Sequence, residues 1–300
     1  MERTDFADFL NPAIHTVFWQ IMQEEEKIYA EIFKEESSDK NQELWSNVSG
    51  FPLPTVKGEG EDSDEQRFYQ GYDTTLVNVT WSMFSRVTFE MIQDDLKNII
   101  KQIPKQMGQA MVRGKDTSGA NIFNCAFSGG GLTYGDGLEL CVSNHANSVP
   151  GGSTNSNLLT AAPLSPTTLE DAVIKLRLLK ADNGTLVGCK PGILLVHPTK
   201  EIVAHRIIDS SLRAGSGDND INVLKSYGIK ILSWDKLSDN YRWFLLATNR
   251  DNGAIFQNRY NADFKDDEAI KSRDVYYSTL MRYAFGCPDW RWLVGNKATS

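Results

Sequence analysis

The chain has 300 residues, and folding at that length buries roughly 75% of the surface an extended chain exposes, so a core needs no covalent staples. Hydrophobic residues make up 41% and charged residues 23%, with 7 Trp, 10 Tyr and 14 Phe, which excludes wholesale disorder. The net charge of −8 argues against tight nucleic-acid binding, because that needs clustered Lys and Arg to release counterions and no such cluster occurs.

The first predicted element is a helix capped by Asn11, with Pro12 in its first turn. Ile14, Val17, Phe18, Ile21, Ile28 and Ile32 recur at helical spacing opposite an acidic side that includes Glu24, Glu25, Glu26 and Glu31. That face needs an apolar partner, either its own domain or a neighbouring subunit. Residues 44–81 read as two extended stretches around an acidic tip. Leu44 to Val56 carries Pro52 and Pro54. The tip holds Lys57, Gly58, Glu59, Gly60, Glu61, Asp62, Asp64 and Glu65, with Arg67 just beyond. On the return stretch, Phe68 to Trp81, the residues Val77, Val79 and Trp81 share one face and Asn78 and Thr80 the other, as in a half-buried strand. A two-stranded hairpin is marginal alone in water and exposes its edges, so a domain or another chain must cover it.

Residues 86–113 read as a long helix with Phe89, Ile92, Leu96, Ile99, Ile103, Met107 and Met111 as its stripe. Pro104 should kink it. Residues 128–162 are punctuated by Gly, Ser and Asn and read as loops. A compact α/β unit follows over 166–254: helices at Thr168–Leu179 and Thr199–Ser211, and strands at Gly192–His197, Ile229–Trp234 and Trp243–Thr248. Asp274 to Phe285 is strand-like. The cluster Trp290-Arg291-Trp292 could stack on bases, but core or interface packing is the commoner use of such residues.

The sequence carries no recognisable active-site motif. The chain has no phosphate-cradling Gly-x-x-x-x-Gly-Lys-Ser/Thr loop, no Gly-x-Ser-x-Gly elbow and no His-Glu-x-x-His helix. His197 and His205 are eight apart, too far to ligate from one helical turn, and His15 and His145 stand alone. No metal, no cofactor and no enzymatic activity are expected. The acidic tip and the loop with Asp218 and Asp220 could attract cations, yet lack the calcium-hand pattern; a solvated loop is the ordinary reading. Cys125, Cys141, Cys189 and Cys287 have no Cys-x-x-Cys spacing and read as buried free thiols of a reducing compartment. The longest aliphatic run, Ile193 to Val196, is far short of the ~20 residues of a membrane span, so no membrane partner is expected.

Several stretches, in order, resemble one family. Asp136-Gly137-Leu138-Glu139-Leu140 followed by Ser143-Asn144-His145-Ala146-Asn147 is the first. Leu169 to Gly184 followed by Lys190-Pro191-Gly192-Ile193-Leu194-Leu195-Val196-His197-Pro198 is the second. Ile231-Leu232-Ser233, Leu237-Ser238-Asp239 and Trp243-Phe244-Leu245-Leu246-Ala247 come next, then Arg282-Tyr283-Ala284-Phe285-Gly286 and Asp289-Trp290-Arg291. Each is weak alone. Together, over roughly 130–295, they resemble the major capsid proteins of tailed bacteriophages, closest to the Mu-like major head subunit group. His197 departs from a frequent Pro and Cys141 from a frequent Phe.

The resemblance implies an α+β chain of the Hong Kong 97-like fold: an N-arm at 1–43, an extended loop at 44–81, a peripheral domain at 82–162 with its spine helix at 86–113, an axial domain at 163–254 and a return to the peripheral domain at 255–300. It implies hexamers and pentamers of an icosahedral shell that encloses double-stranded DNA without reading its sequence, assembled in the host bacterial cytoplasm and located in the virion. Portal, a possible decoration protein and, if Met1 is the true start, a separate scaffolding protein would be its partners. The expected contacts between subunits are Lys57, Glu59, Glu61, Asp62, Asp64, Glu65 and Arg67 at the loop tip, and Ile14, Phe18 and Ile21 on the N-arm. Some relatives crosslink a loop Lys to an Asn of another subunit; Lys57 is the nearest candidate, but no catalytic acid or acceptor can be assigned. An encapsulin-like cargo shell is the alternative of the same fold, and a hydrolase-like enzyme on 163–254 would lack a nucleophile.

Overall fold

The computed structural model describes residues 15–94, 102–128, 134–149, 152, 154–212, 221–248 and 253–298. In chain order the helices are α1 (15–24), α2 (Phe89–Gln93), α3 (Gln102–Asn124), α4 (Pro166–Arg177) and α5 (Pro198–Ile208). The strands are β1 (Lys34–Ser37), β2 (Gln42–Val48), β3 (Gln70–Val77), β4 (Val79–Val87), β5 (Pro191–Val196), β6 (Lys230–Ser233), β7 (Trp243–Ala247), β8 (Ile255–Glu268), β9 (Val275–Gly286) and β10 (Leu293–Asn296). The chain divides into two compact units. Unit one is Met1–Glu43, Val77–Gly119 and Phe256–Phe285; unit two is Leu44–Leu76, Ala120–Ile255 and Gly286–Ser300.

Unit one is built on a four-stranded sheet of order β1-β8-β9-β4, with β4 antiparallel to β9 from Val79↔Tyr283 to Val87↔Val275. Its buried side carries Phe256, Ala262, Phe264, Tyr277, Met281 and Tyr283. Helix α3 meets this side: Ser118 Oγ lies 3.0 Å from Tyr283 Oη, and Lys115 Nζ stands 5.5 Å over the Phe256 ring. Burial lowers the affinity of Lys115 for its proton. Asp116 accepts a 3.1 Å bond from the Tyr29 backbone N–H and so ties the N-terminal segment to the same core. These two charged residues explain why α3 runs to Asn124 while the apolar stripe suggested an end at 113. Pro104 falls in the first described turn of α3, where a missing donor costs least. Residues 95–101, with Leu96 and Ile99 of the expected stripe, lie outside the described residues. The start of the expected helix is strand instead: β4 runs to Val87, and Thr88 caps the short α2 by accepting from Met91 N at 3.4 Å.

The return stretch also departs from its expected facing. The backbone breaks between β3 and β4, and Asn78 is the buried residue at the break, while Val77, Val79 and Trp81 are 49%, 51% and 42% exposed. A polar side chain wins the interior because every polar group on it is used. Asn78 Nδ2 donates to Ser38 Oγ and Lys40 O, its Oδ1 accepts from Gln257 Nε2, and its N–H reaches Asn41 O. Asn78→Ala is therefore expected to destabilise the unassembled protein by about 1–3 kcal/mol in urea unfolding, because buried partners lose their bonds. A loss below the error of that measurement would contradict this account.

Unit two centres on a sheet of order β10-β7-β5-β6, with β5 and β6 parallel and the other neighbours antiparallel. Leu194, Leu195, Val196, Trp243 and Leu245 have no exposed surface, as in strands covered on both faces. Helix α4 rests on β10, β7 and β5, and α5 on β5 and β6. Ser165 and Thr168 form a reciprocal cap at the start of α4, with Pro166 in the first turn. His197 caps α5, its ring accepting from Thr199 N at 3.3 Å. Residues 286–300 belong to unit two, where β10 pairs with β7 from Leu293↔Leu246 to Asn296↔Trp243.

Candidate functional site

The loop between β2 and β3 projects from a well-held root. Asn47 Nδ2 donates to Pro288 O at 3.0 Å, and Asn183 Nδ2 to Phe51 O at 2.7 Å. Phe51 and Phe68 close the neck, ring centroids 5.2 Å apart. Beyond that neck the hydrogen bonds among the described residues are local. Glu61 N–H reaches Gly58 O at 3.3 Å in a tight turn, Glu61 Oε2 accepts from Gly58 N at 3.2 Å, and Thr55 Oγ1 donates to Asp64 Oδ2 at 2.9 Å. Gly60 at φ +79° sits in the left-handed region that the turn requires.

Lys57, Glu59, Glu61, Asp62, Asp64, Glu65 and Arg67 are all exposed on this projection. Lys57, Glu61, Asp62 and Asp64 line one shallow depression with Thr55 and Val56, while Arg67 pairs with Glu65 at 3.5 Å. Leu53 is 74% exposed and Val56 wholly so. Aliphatic residues held this far out on an acidic projection gain nothing from their own chain.

The N-arm candidates separate. Ile14 lies outside the described residues. Phe18 is fully buried against its own unit, stacked on Phe264 at 4.7 Å, and Gly108 of α3 lets the Phe18 backbone approach closely. Ile21 is half-buried beside the same glycine. Phe18 thus has no free surface for a neighbouring subunit, and the reading of it as an intersubunit contact is corrected. An aromatic ring facing a glycine on one side and another ring on the other is satisfied at home.

Beneath the loop root lies a polar network that sequence reasoning missed. Arg291 Nη1 donates to Asp289 Oδ1 at 3.0 Å, and Nη2 donates to Asp182 Oδ1. Asp182 also accepts from Ser148 Oγ at 2.8 Å. The guanidinium lies 4.7 Å over the Trp290 ring, whose plane stacks on His145 at 4.1 Å. His145 Nδ1 is 2.5 Å from Asp136 Oδ2, and both side chains are buried. The residues next to this network, Asn183 and Pro288, are the ones that hold the loop root. Only the family-like spacing of Asp136, His145 and Asp289-Trp290-Arg291 hinted at it; nothing in the sequence pairs Arg291 with Asp182.

Burial alone would raise the Asp136 pKa, but bonds from His145 and from Leu138 N–H outweigh it and the carboxyl ionises below its ordinary 3.8. The unfolded chain therefore holds more protons between the two values. The stabilisation is complete above 3.8 and disappears as pH falls through the lower folded value. Asp136→Asn is expected to lower Tm near neutral pH and to flatten the loss of Tm below about pH 4. An unchanged acid slope in thermal scans would rule the pair out as its source. Among the described residues no group of three or more His, Cys, Asp or Glu is placed to hold a metal ion, and no helix is long and apolar enough to cross a membrane.

A family model described as "Phage capsid protein" matches residues 73–296. No curated protein matches the chain in sequence. Among solved structures, the capsid of the cyanophage P-SCSP1u superposes with a TM-score of 0.63 at 12% identity, over 92% of this chain and 89% of that one. The capsid of a native GTA particle gives 0.59 at 10%, over 92% and 91%. The holo-SrpI encapsulin complex from Synechococcus elongatus PCC 7942 gives 0.51 at 12%, over 91% and 87%. At such identities the likeness speaks for the fold, which is α+β and Hong Kong 97-like.

Proposed function

This chain belongs to the phage capsid protein family and is a major capsid protein of the virion shell, and from that premise we propose that it tiles an icosahedral head as hexamers and pentamers and catalyses no reaction. The observation that carries the reading furthest is the projecting loop. It holds Leu53 and Val56 in water at the end of a firmly seated root, which suits a segment whose covering surface is another copy. Apolar contact at many modest interfaces supplies the association energy, and charged rims fix register.

Within that reading, residues 44–81 are the extended loop, 82–162 and 255–300 form the peripheral domain, and 163–254 form the axial domain that meets its copies at capsomer centres. The seven charged tip residues and the exposed part of Ile21 are the contacts assigned to neighbours. The ordered motifs from Asp136 to Arg291 favour the Mu-like major head subunit group. A scaffold, a portal and, where the shell carries one, a decoration protein are the partners expected of such a shell, with assembly in the host cytoplasm and double-stranded DNA enclosed but not read. The net charge of −8 suits a container that confines DNA without gripping it.

Negative-stain microscopy of the purified protein tests this: closed particles of uniform size are expected. A protein that stays monomeric across salt, crowding agents and added scaffold would overturn it. The encapsulin-like alternative is separated by content, since a cargo shell expressed with its cargo would carry protein in place of DNA.

A further inference from the structure

We infer that neighbouring copies in a capsomer meet head to tail through two different apolar patches of unit two: Ile174, Leu178 and Leu186 on one copy against Leu212, Ile221 and Val223 on the next. The inference rests on the shell reading above and names the surfaces that close its rings.

The first patch is built on α4. Ile174 and Leu178 are one helical turn apart and point away from the buried stripe of Leu169, Ala172, Val173 and Leu176. Leu186 joins them because Lys180 and Leu186 pair across the following turn, fixed by the Val187 N–H bond to Leu179 O at 2.9 Å. Each of the three is more than half exposed. The exposed charges around them are of both signs: Asp171, one turn before Ile174 on the same face, and Arg177 and Lys180.

The second patch lies at the far end of α5. Leu212 and Ile221 pair directly in an isolated antiparallel bridge, and Val223 follows two residues on. Asn222 between them is locked inward, its Nδ2 donating to Ile207 O at 2.6 Å and to Ser210 O at 2.9 Å, so Ile221 and Val223 are forced outward. Asp209 at the end of α5 lies 2.6 Å from His205 Nδ1, and Arg206 and Lys225 are exposed on the same elements.

The placement of the two patches selects their partner. Helix α4 rests on the β10, β7 and β5 part of the sheet, whereas α5 and the 3-10 turn Val223–Tyr227 lie at β6, the opposite edge. One sheet therefore carries unlike apolar surfaces toward its two edges. A twofold contact would match a patch with itself; a ring needs two different patches that fit each other.

The test uses full-length protein with Leu178→Cys and Val223→Cys on one chain. Oxidation of assembled particles should give a covalent ladder in denaturing gels that ends at five and six chains, with neither single variant giving more than traces of dimer. Particles that form but yield no ladder, or a single variant that dimerises efficiently, would overturn the inference and leave the shell reading standing. Wild-type protein that forms no particles would instead remove the shell reading. Because the cysteines themselves could disturb assembly, Leu178→Lys and Val223→Glu give a second measure. Each should lower particle yield about tenfold or more, and the combination should restore most of it. Failure of the combination to exceed either single variant counts against the pairing.

Discussion

Deletion of residues 57–67 is expected to leave soluble capsomers or monomers and no shells of normal size. The excision removes the acidic tip and leaves Phe51, Phe68 and the bonds at Asn47 and Asn183 in place, so unit two should keep its fold. The large effect comes from multiplication. A contact worth only about 1.4 kcal/mol changes one association constant tenfold, and a closed shell repeats the contact at every subunit. Sedimentation velocity and electron microscopy of the deletion beside the wild type would read it out. Intact shells of normal diameter would mean that the tip holds nothing together.

Arg291→Leu is expected to produce the largest loss of stability of any single change considered. The guanidinium is the shared cation of two buried carboxylates, Asp182 and Asp289. Removing one partner of a buried ion pair typically costs about 3–5 kcal/mol, because the remaining charge stays in a poor solvent. At roughly 2–4 °C per kcal/mol for a unit of this size, Tm should fall by about 10 °C. Replacing all three together, as Asp182→Asn, Asp289→Asn and Arg291→Met, should recover much of the loss, since the penalty belongs to the orphaned charges and not to the missing pair. Equal destabilisation by the single and the triple change would point to packing on Trp290 instead. The single change should also weaken assembly before it unfolds the protein, because Asn183 and Pro288 hold the loop root one residue away from the network.

The second unit was largely legible in the sequence. Ile193 to Val196 and Trp243 to Ala247 are uninterrupted apolar runs, and only strands buried on both faces need them. Helices α4 and α5 announce themselves through Ser165, Pro166 and Pro198 at their starts. Strand β8 was not legible. Its exposed side carries Asp263, Lys265 and Asp267, and the buried face of Phe256, Ala262 and Phe264 is interrupted by Asn258 and the exposed Tyr260. The far end of α3 was hidden by Lys115 and Asp116, whose burial is made possible by Phe256, Tyr283 and Tyr29, partners more than 80 positions away in the chain. Asn78 misled for the same reason: polar atoms enter a core when distant groups satisfy them, and local pattern carries no record of those groups. The acidic tip could be read from composition alone, but the network under its root could not, since Asp182 and Arg291 stand 109 positions apart.

Each unit is stitched from three separated stretches of chain, and that sets a constraint on biosynthesis. Strand β4 leaves the ribosome long before β9, yet β9 is the strand it pairs with among the described residues. The clamp between Arg86 and Asp274 waits across 188 positions. Until translation is nearly complete, Val79, Trp81 and Phe84 stand on an unpaired strand, with no lysine or proline along β4 to discourage the wrong neighbour. Nascent chains crowded on one polysome are each other's nearest such neighbours. Yield in a host cell should therefore follow how well that interval is chaperoned more closely than it follows the stability of the finished subunit.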